Sequence, residues 1–124
     1  MRVLLVDDEP ELVSALAERL EMRGIETRWE TTGEAAIAAM AADCCDIAVL
    51  DVKMPGMGGL ALKARLAKIC PRMKFVFLTA YGSQQVFDSV STEMGSDFYL
   101  VKPIQIEALV DTLHRLAEHR KEAP

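Results

Sequence analysis

Long apolar runs are missing from this chain of 124 residues. None approaches the roughly 20 residues that a membrane-spanning helix needs, and Met1 leads straight into a strand-like segment rather than a charged leader. A cytoplasmic home is the expectation. Basic charge is short as well: 14 Lys and Arg against 19 Asp and Glu leave a net charge of −5, whereas nucleic-acid binding needs a basic face that displaces counterions. Neither a nucleic acid nor a membrane is expected as a direct partner. The 3 cysteines form no framework, because Cys44 and Cys45 are adjacent, Cys70 stands apart and no C-x-x-C occurs. Small buried thiols in a reducing compartment are expected rather than a metal or redox site. There is no internal repeat and no low-complexity linker. What remains, 51% hydrophobic and 27% charged, suits a single globular domain.

The most informative stretch runs from Ile47 to Gly59. Ile47-Ala48-Val49-Leu50 is a short apolar run that ends in Asp51, as a strand buried on both faces would. Pro55, Gly56, Gly58 and Gly59 then prevent any regular element from continuing. The opening Arg2-Val3-Leu4-Leu5-Val6 repeats the pattern and also ends in acid, Asp7-Asp8, with Glu9 behind. Two strands therefore aim carboxylates at one end of a sheet.

Between and beyond these strands the pattern alternates. Pro10 suits a first helical turn, and Leu12, Val13, Leu16, Ala17 and Leu20 keep helical spacing until Gly24. Ile25 to Glu30 reads as an edge strand around Trp29. Thr31 and Glu34 offer a capping box for an alanine-rich helix through about Ala42. Leu62, Leu66 and Ile69 mark a third helix, closed by Pro71, and Phe75 to Leu78 a fourth strand ending in Thr79-Ala80. A fourth helix over roughly 84–94 is built from mediocre helix formers, which places motion there. A strand over 97–101 precedes Lys102-Pro103, and a last helix carries Ile106, Leu109, Val110, Leu113, Leu116 and Ala117 on one stripe. His114 and His119 on that helix read as solvated. Five alternations of strand and helix predict an α/β fold with a mostly parallel sheet covered on both faces. Ligands of such sheets bind beyond the carboxyl ends of the strands, where Asp7, Asp8, Asp51, Thr79 and Lys102 all fall.

Crowded carboxylates repel by roughly 4 kcal/mol per pair at about 4 Å and an effective dielectric of about 20, so they protonate or capture a cation. Mg²⁺, with its oxygen ligands and retained waters, fits best, and Mn²⁺ is a substitute. Thr79 adds a hydroxyl and Lys102 a compact positive charge, both suited to a tetrahedral oxyanion. The set describes a carboxylate that accepts a phosphoryl group with metal assistance.

The Asp7-Asp8 pair, Asp51-x-x-Met54-Pro55-x-x-x-Gly59, Thr79-Ala80 and Tyr99-x-x-Lys102-Pro103 together resemble the receiver domain of two-component response regulators, over essentially the whole chain. The resemblance implies a flavodoxin-like, doubly wound (βα)5 sheet of strand order 2-1-3-4-5, with the domain over 1–120 and residues 121–124 as a frayed tail or the start of a linker. It implies transfer of a phosphoryl group from the phosphohistidine of a sensor histidine kinase, or of a phosphotransfer protein, to Asp51. Asp8, Asp51 and the backbone carbonyl of Lys53 would ligate Mg²⁺, with Asp7 acting through water. Thr79, the backbone N–H of Ala80 and Lys102 would hold the phosphoryl oxygens, Tyr99 would turn inward as Thr79 moves, and the bond before Pro103 would be cis. Leu12 and Ile104 would dock a partner, Leu12 being alternatively a core residue. By the same resemblance Lys53 and Tyr81 would hold positions that tune the phosphate's lifetime, and Phe98 would be core or partner surface. The implied output is a changed face built from the fourth helix, fifth strand and fifth helix, read by a downstream effector or a second copy of the chain. Such a module is not an enzyme, although it assists its own phosphorylation and dephosphorylation.

Readings from other classes fare worse. A flavin or nucleotide carrier wants a Gly/Ser/Thr-rich phosphate loop where this chain has Asp7-Asp8-Glu9. An aspartyl phosphatase wants a second acid two residues after its nucleophile, and Lys53 stands there. A phosphorylation-independent scaffold, working by protein binding alone, is the alternative.

Overall fold

Apolar runs become strands whose successive side chains feed two separate layers of helices. The computed structural model describes residues 1–79 and 99–122, with only the backbone described for 119–122. In chain order these form β1 (Arg2–Val6), α1 (Pro10–Glu21), β2 (Glu26–Glu30), α2 (Gly33–Ala42), β3 (Ile47–Asp51), α3 (Gly59–Ile69), β4 (Lys74–Thr79), β5 (Tyr99–Val101) and α4 (Ile106–Glu122). The helix expected over 84–94 lies outside the described residues, as do Ala80, Tyr81 and Phe98.

The strands pair in parallel in the order β2-β1-β3-β4-β5. This is the flavodoxin-like arrangement. Leu4, Val6, Ala48, Leu50, Phe75 and Phe77 face α2 and α3, whereas Val3, Leu5, Ile47, Val49, Val76 and Leu78 face α1 and α4. Each set follows from the two-residue period of a pleated strand. β3 is buried along its whole length, as its unbroken apolar run requires, while β2 is an edge strand with Trp29 exposed.

The helices explain their own boundaries, with one correction. Pro10 opens α1, where a missing N–H costs nothing, and Gly24 follows it at φ +78°, the left-handed geometry that glycine adopts without strain. α2 is capped by Thr32, not Thr31: its extended backbone lets the side chain accept the Ala35 N–H at 3.1 Å. The cap thus falls one residue later than expected, and with Ala35 at the third helical position the capping box expected from Thr31 and Glu34 does not form. The small Ala36 and Ala39 sit beneath α2 with Met40, so the helix approaches the sheet closely.

A second correction concerns the cysteines. Cys44, after α2, and Cys70, the C-cap of α3, are joined in a disulfide, while Cys45 is a free, buried thiol. Adjacency to Cys45 concealed the pairing, because only the parallel packing of β3 beside β4 brings the segments that precede them together. Position 44 is also exposed rather than buried.

Candidate functional site at the carboxyl end of the sheet

Register and parity assemble the site before any side-chain contact is considered. Val6 lies opposite Leu50 in the β1–β3 ladder, so the next residues, Asp7 and Asp51, leave the sheet side by side. Both continue the phase of Val3, Leu5, Ile47 and Val49, toward the α1 and α4 layer. Leu100 of β5 belongs to the same layer, and Lys102, two residues on, shares its phase. Three charged side chains from three strands therefore converge. Thr79 and Tyr99 take the opposite phase, that of Phe77, which is paired with Tyr99.

The contacts agree with this geometry. Lys102 Nζ lies 2.8 Å from Asp7 Oδ2 and 3.3 Å from Asp51 Oδ2. Asp7 Oδ1 accepts the backbone N–H of Glu9 at 3.0 Å, and Asp51 Oδ1 that of Lys53 at 3.3 Å. Asp7 and Asp51 are only 1% and 5% exposed, so both charges are taken out of water. Asp7 Oδ2 has the ammonium close by but no aligned hydrogen bond.

Burial, followed by the neighbouring Asp7 charge, pushes the Asp51 carboxyl up to about 6, despite opposition from Lys102 and the Lys53 N–H. Lys102 would be lowered by its own burial, but its close pairing with Asp7 and the charges of Asp51 and Asp7 more than offset that and raise it. The ammonium therefore stays charged, and Asp51 is held near the point at which it gains or loses a proton.

Asp8 is exposed at the mouth of the cleft, and carboxylate oxygens of Asp7, Asp8 and Asp51 all lie within 4.8 Å of one another. Three acids around a single ammonium leave excess negative charge, and hard oxygen donors at this spacing fit a divalent cation. The acidic cluster could hold a metal ion.

The loop after Asp51 is held by backbone proximity. An added Cβ on Gly59, the first residue of α3, would lie 2.5 Å from the Asp51 carbonyl oxygen. Gly59 N–H donates to the Val52 carbonyl at 3.0 Å, and Val52 N–H to that of Leu78 at 2.9 Å. Met57, in the same loop, packs over Gly33 at the start of α2. The loop bordering Asp51 is thereby fastened to β4 and to two helices.

Of the other residues singled out by sequence, Thr79 is buried at the end of β4, and its carbonyl accepts the Lys102 N–H at 2.8 Å. Tyr99 is half-buried against the α2–α3 layer. The Lys102–Pro103 bond is cis. Leu12 is not part of α1's buried stripe of Val13, Leu16, Ala17 and Leu20; it is half-buried and shares with Ile104 a cavity of about 490 Å³. His114 is exposed on α4, away from the acids. Sequence reasoning assigned Lys102 to incoming phosphoryl oxygens and missed its pairing with Asp7. The shared parity of positions 7, 51 and 102 was the available signal.

Comparison with known proteins gives the family. Residues 3–114 match the family model for the response regulator receiver domain. The chain is 29% identical over 119 residues to the C4-dicarboxylate transport transcriptional regulatory protein DctD of Rhizobium meliloti, covering 96% of this chain and 26% of that protein. It is 34% identical over 116 residues to the response regulator protein FleR of Pseudomonas aeruginosa, covering 94% and 24%. It thus spans about a quarter of the length of these relatives. A CheY-like receiver domain protein from Methanospirillum hungatei superposes with a TM-score of 0.85 at 29% identity over 98% of both chains. The receiver domain of NtrX from Brucella abortus does so with a TM-score of 0.83 at 27% identity, over 94% of this chain and 98% of that one. No described helix is long and apolar enough to cross a membrane. A matched family model over nearly the whole chain, on a fold that gathers Asp7, Asp8, Asp51, Thr79 and Lys102 at one edge, identifies the chain as a receiver domain of two-component response regulators.

Proposed function

We propose that Asp51 is the phosphoacceptor and that its phosphorylation by a phosphohistidine donor switches a protein-binding face. The single observation that carries this reading is the convergence of Asp51 with Asp7, Asp8 and Lys102 at the carboxyl edge of the sheet. An Asp51 oxygen attacks phosphorus as the phosphorus–nitrogen bond of the donor breaks, and the imidazole leaves with a proton from solvent. Asp8, Asp51 and the Lys53 carbonyl, with Asp7 through water, would hold Mg²⁺, which would supply positive charge to the phosphoryl oxygens when bound. Mn²⁺ would serve in the same way. The spacing of the three acids supports that assignment.

Lys102 already bridges Asp7 and Asp51, so a small movement transfers its charge to the new phosphoryl group. Thr79 and the Ala80 N–H contribute donors to the same oxygens. A phosphoryl group carries about −2 charge and three acceptor oxygens, enough to pull Thr79 inward and leave space for Tyr99. The output face then includes β5 and α4. Leu12 and Ile104, sharing one cavity beside Glu9 and Lys102, form the docking surface for a kinase or phosphotransfer protein. The receiver passes the state of Asp51 to an effector in a cytoplasmic setting, assisting gain and loss of its own phosphate without acting on a separate substrate.

Incubation with acetyl phosphate and Mg²⁺ should add one acid-stable, base-labile phosphoryl group, detected by intact mass. Asp51→Asn should abolish it. Undiminished labelling of that variant would remove Asp51 from the role.

A further inference from the structure

At the end of the sheet opposite the acids, Cys44 and Cys70 come together where α2 leads into β3 and α3 into β4. Their Cα atoms are 5.9 Å apart, within the range a disulfide spans without backbone movement. Cys44 is exposed and Cys70 is 3% exposed. A cavity of about 350 Å³ opens beside them, lined also by Pro71 and Arg72. A low-molecular-weight thiol therefore has a path to the Cys44 sulfur.

Backbone acceptors for the two sulfurs stand close by. The Met40 carbonyl oxygen lies 3.6 Å from Cys44 Sγ and 3.9 Å from Cys70 Sγ, and the Ile69 carbonyl is 3.9 Å from Cys44 Sγ. Once the bond opens and the sulfurs move apart, each thiol has a carbonyl acceptor at hand. The third cysteine is set apart from the exchange: Cys45 is buried, and burial raises its thiol despite the opposing field of Arg2, so it stays protonated.

We propose that Cys44 and Cys70 form a reversible thiol–disulfide exchange site, oxidised by low-molecular-weight disulfides and reduced by thiols that enter through the adjoining cavity. In oxidation the Cys44 thiolate attacks one sulfur of the external disulfide and releases one thiolate. Cys70, deprotonated in turn, attacks the Cys44 sulfur of the mixed disulfide and releases the second. The protein loses two protons and two electrons, and the external disulfide becomes two thiols. Reduction runs the same steps backward, with attack at the exposed Cys44 sulfur and Cys70 as leaving group. In a reducing compartment such bridges are transient and redox-sensing rather than structural. The bridge closes a loop over a sequence separation of 26 and ties the start of β3 to the start of β4, which makes oxidation a stabilising event for the two strands that carry Asp51 and Thr79.

The test uses the whole chain in buffers of reduced and oxidised glutathione, quenched with an alkylating agent and read by peptide mass spectrometry and thermal unfolding. Positions 44 and 70 are expected to become protected together as the buffer is made oxidising, to reopen together on reduction, and to raise Tm by about 10 °C when bridged. Cys44→Ser should remove both the protection of Cys70 and the Tm rise, and, being an exposed position, it tests the pairing even if Cys70→Ser does not fold. Cys45→Ala should still bridge. An arrested single glutathione adduct, a bridge between two chains, a Cys45-containing bridge, or two alkylatable thiols under oxidising conditions would each overturn the proposal.

Discussion

At the residue scale the site is governed by the cost of placing charge out of water. Asp51 is 5% exposed and its carboxyl is pushed up to about 6 by burial and by Asp7, from an ordinary value of 3.8. Because the folded chain holds this proton more tightly than the unfolded chain, Asp51's contribution to stability is greatest below about pH 4 and declines until about pH 6. In a chelator, urea unfolding should show a loss on the order of 2 kcal/mol across that window. Asp51→Asn should lack that slope and be the more stable protein at pH 7. A wild-type profile flat from pH 4 to 6, or one rising in step with the variant's, would show that Lys102 fully compensates the burial. A cation bound among the three acids would relieve that crowding.

At the element scale, what matters is how tightly the loop after β3 is drawn against its own strand. Gly59 can begin α3 where it does only because it has no side chain, since a Cβ there would lie 2.5 Å from the Asp51 carbonyl oxygen. Gly59→Ala must move backbone, so it should destabilise by about 2 kcal/mol and slow acetyl phosphate labelling of Asp51. Gly33→Ala is the control. There an added Cβ meets only the Met57 side chain, 3.0 Å away at its sulfur, and methionine repacks readily, so the change should stay within about 1 kcal/mol. Equal losses for the two variants in denaturant melts would mean that the loop is not held as described. The capping of α2 belongs to this scale too. Glu34 favoured Thr31 as the cap, and the extended backbone at Thr32, whose side chain accepts the Ala35 N–H, made that residue the cap instead.

For the molecule as a whole, cation binding and folding are linked, because an unfolded chain does not hold three carboxylates within 4.8 Å. Millimolar Mg²⁺ should raise Tm at pH 7.5 and do so less at pH 5, where Asp51 is largely protonated. Asp8→Asn, changing the exposed member of the cluster, should reduce that rise by more than half in a thermal scan. A rise unaffected by both pH and the substitution would place the cation elsewhere. The Cys44–Cys70 bridge lies at the opposite end of the sheet, so its effect on Tm and that of Mg²⁺ should add.

The fold was legible because it is local in origin. Apolar runs of four or five residues ending in Asp7, Asp51 and Thr79, separated by helical stripes closed at Gly24 and Pro71, leave little choice but a parallel sheet with helices on both faces, and its ligand edge follows from strand direction. What sequence could not supply were relations between distant segments. The Lys102 bridge to both acids depends on the register of three strands, the Cys44–Cys70 pairing on β3 lying beside β4, and the placement of Leu12 near Ile104 on α1 packing beside α4, the helix that Ile104 leads into. Residue type and spacing act along the chain, and determined which groups reach the edge of the sheet. Distances of a few ångströms between groups far apart in the chain are set only when the strands pair, so charge balance, cysteine partners and shared cavities were decided by the tertiary structure.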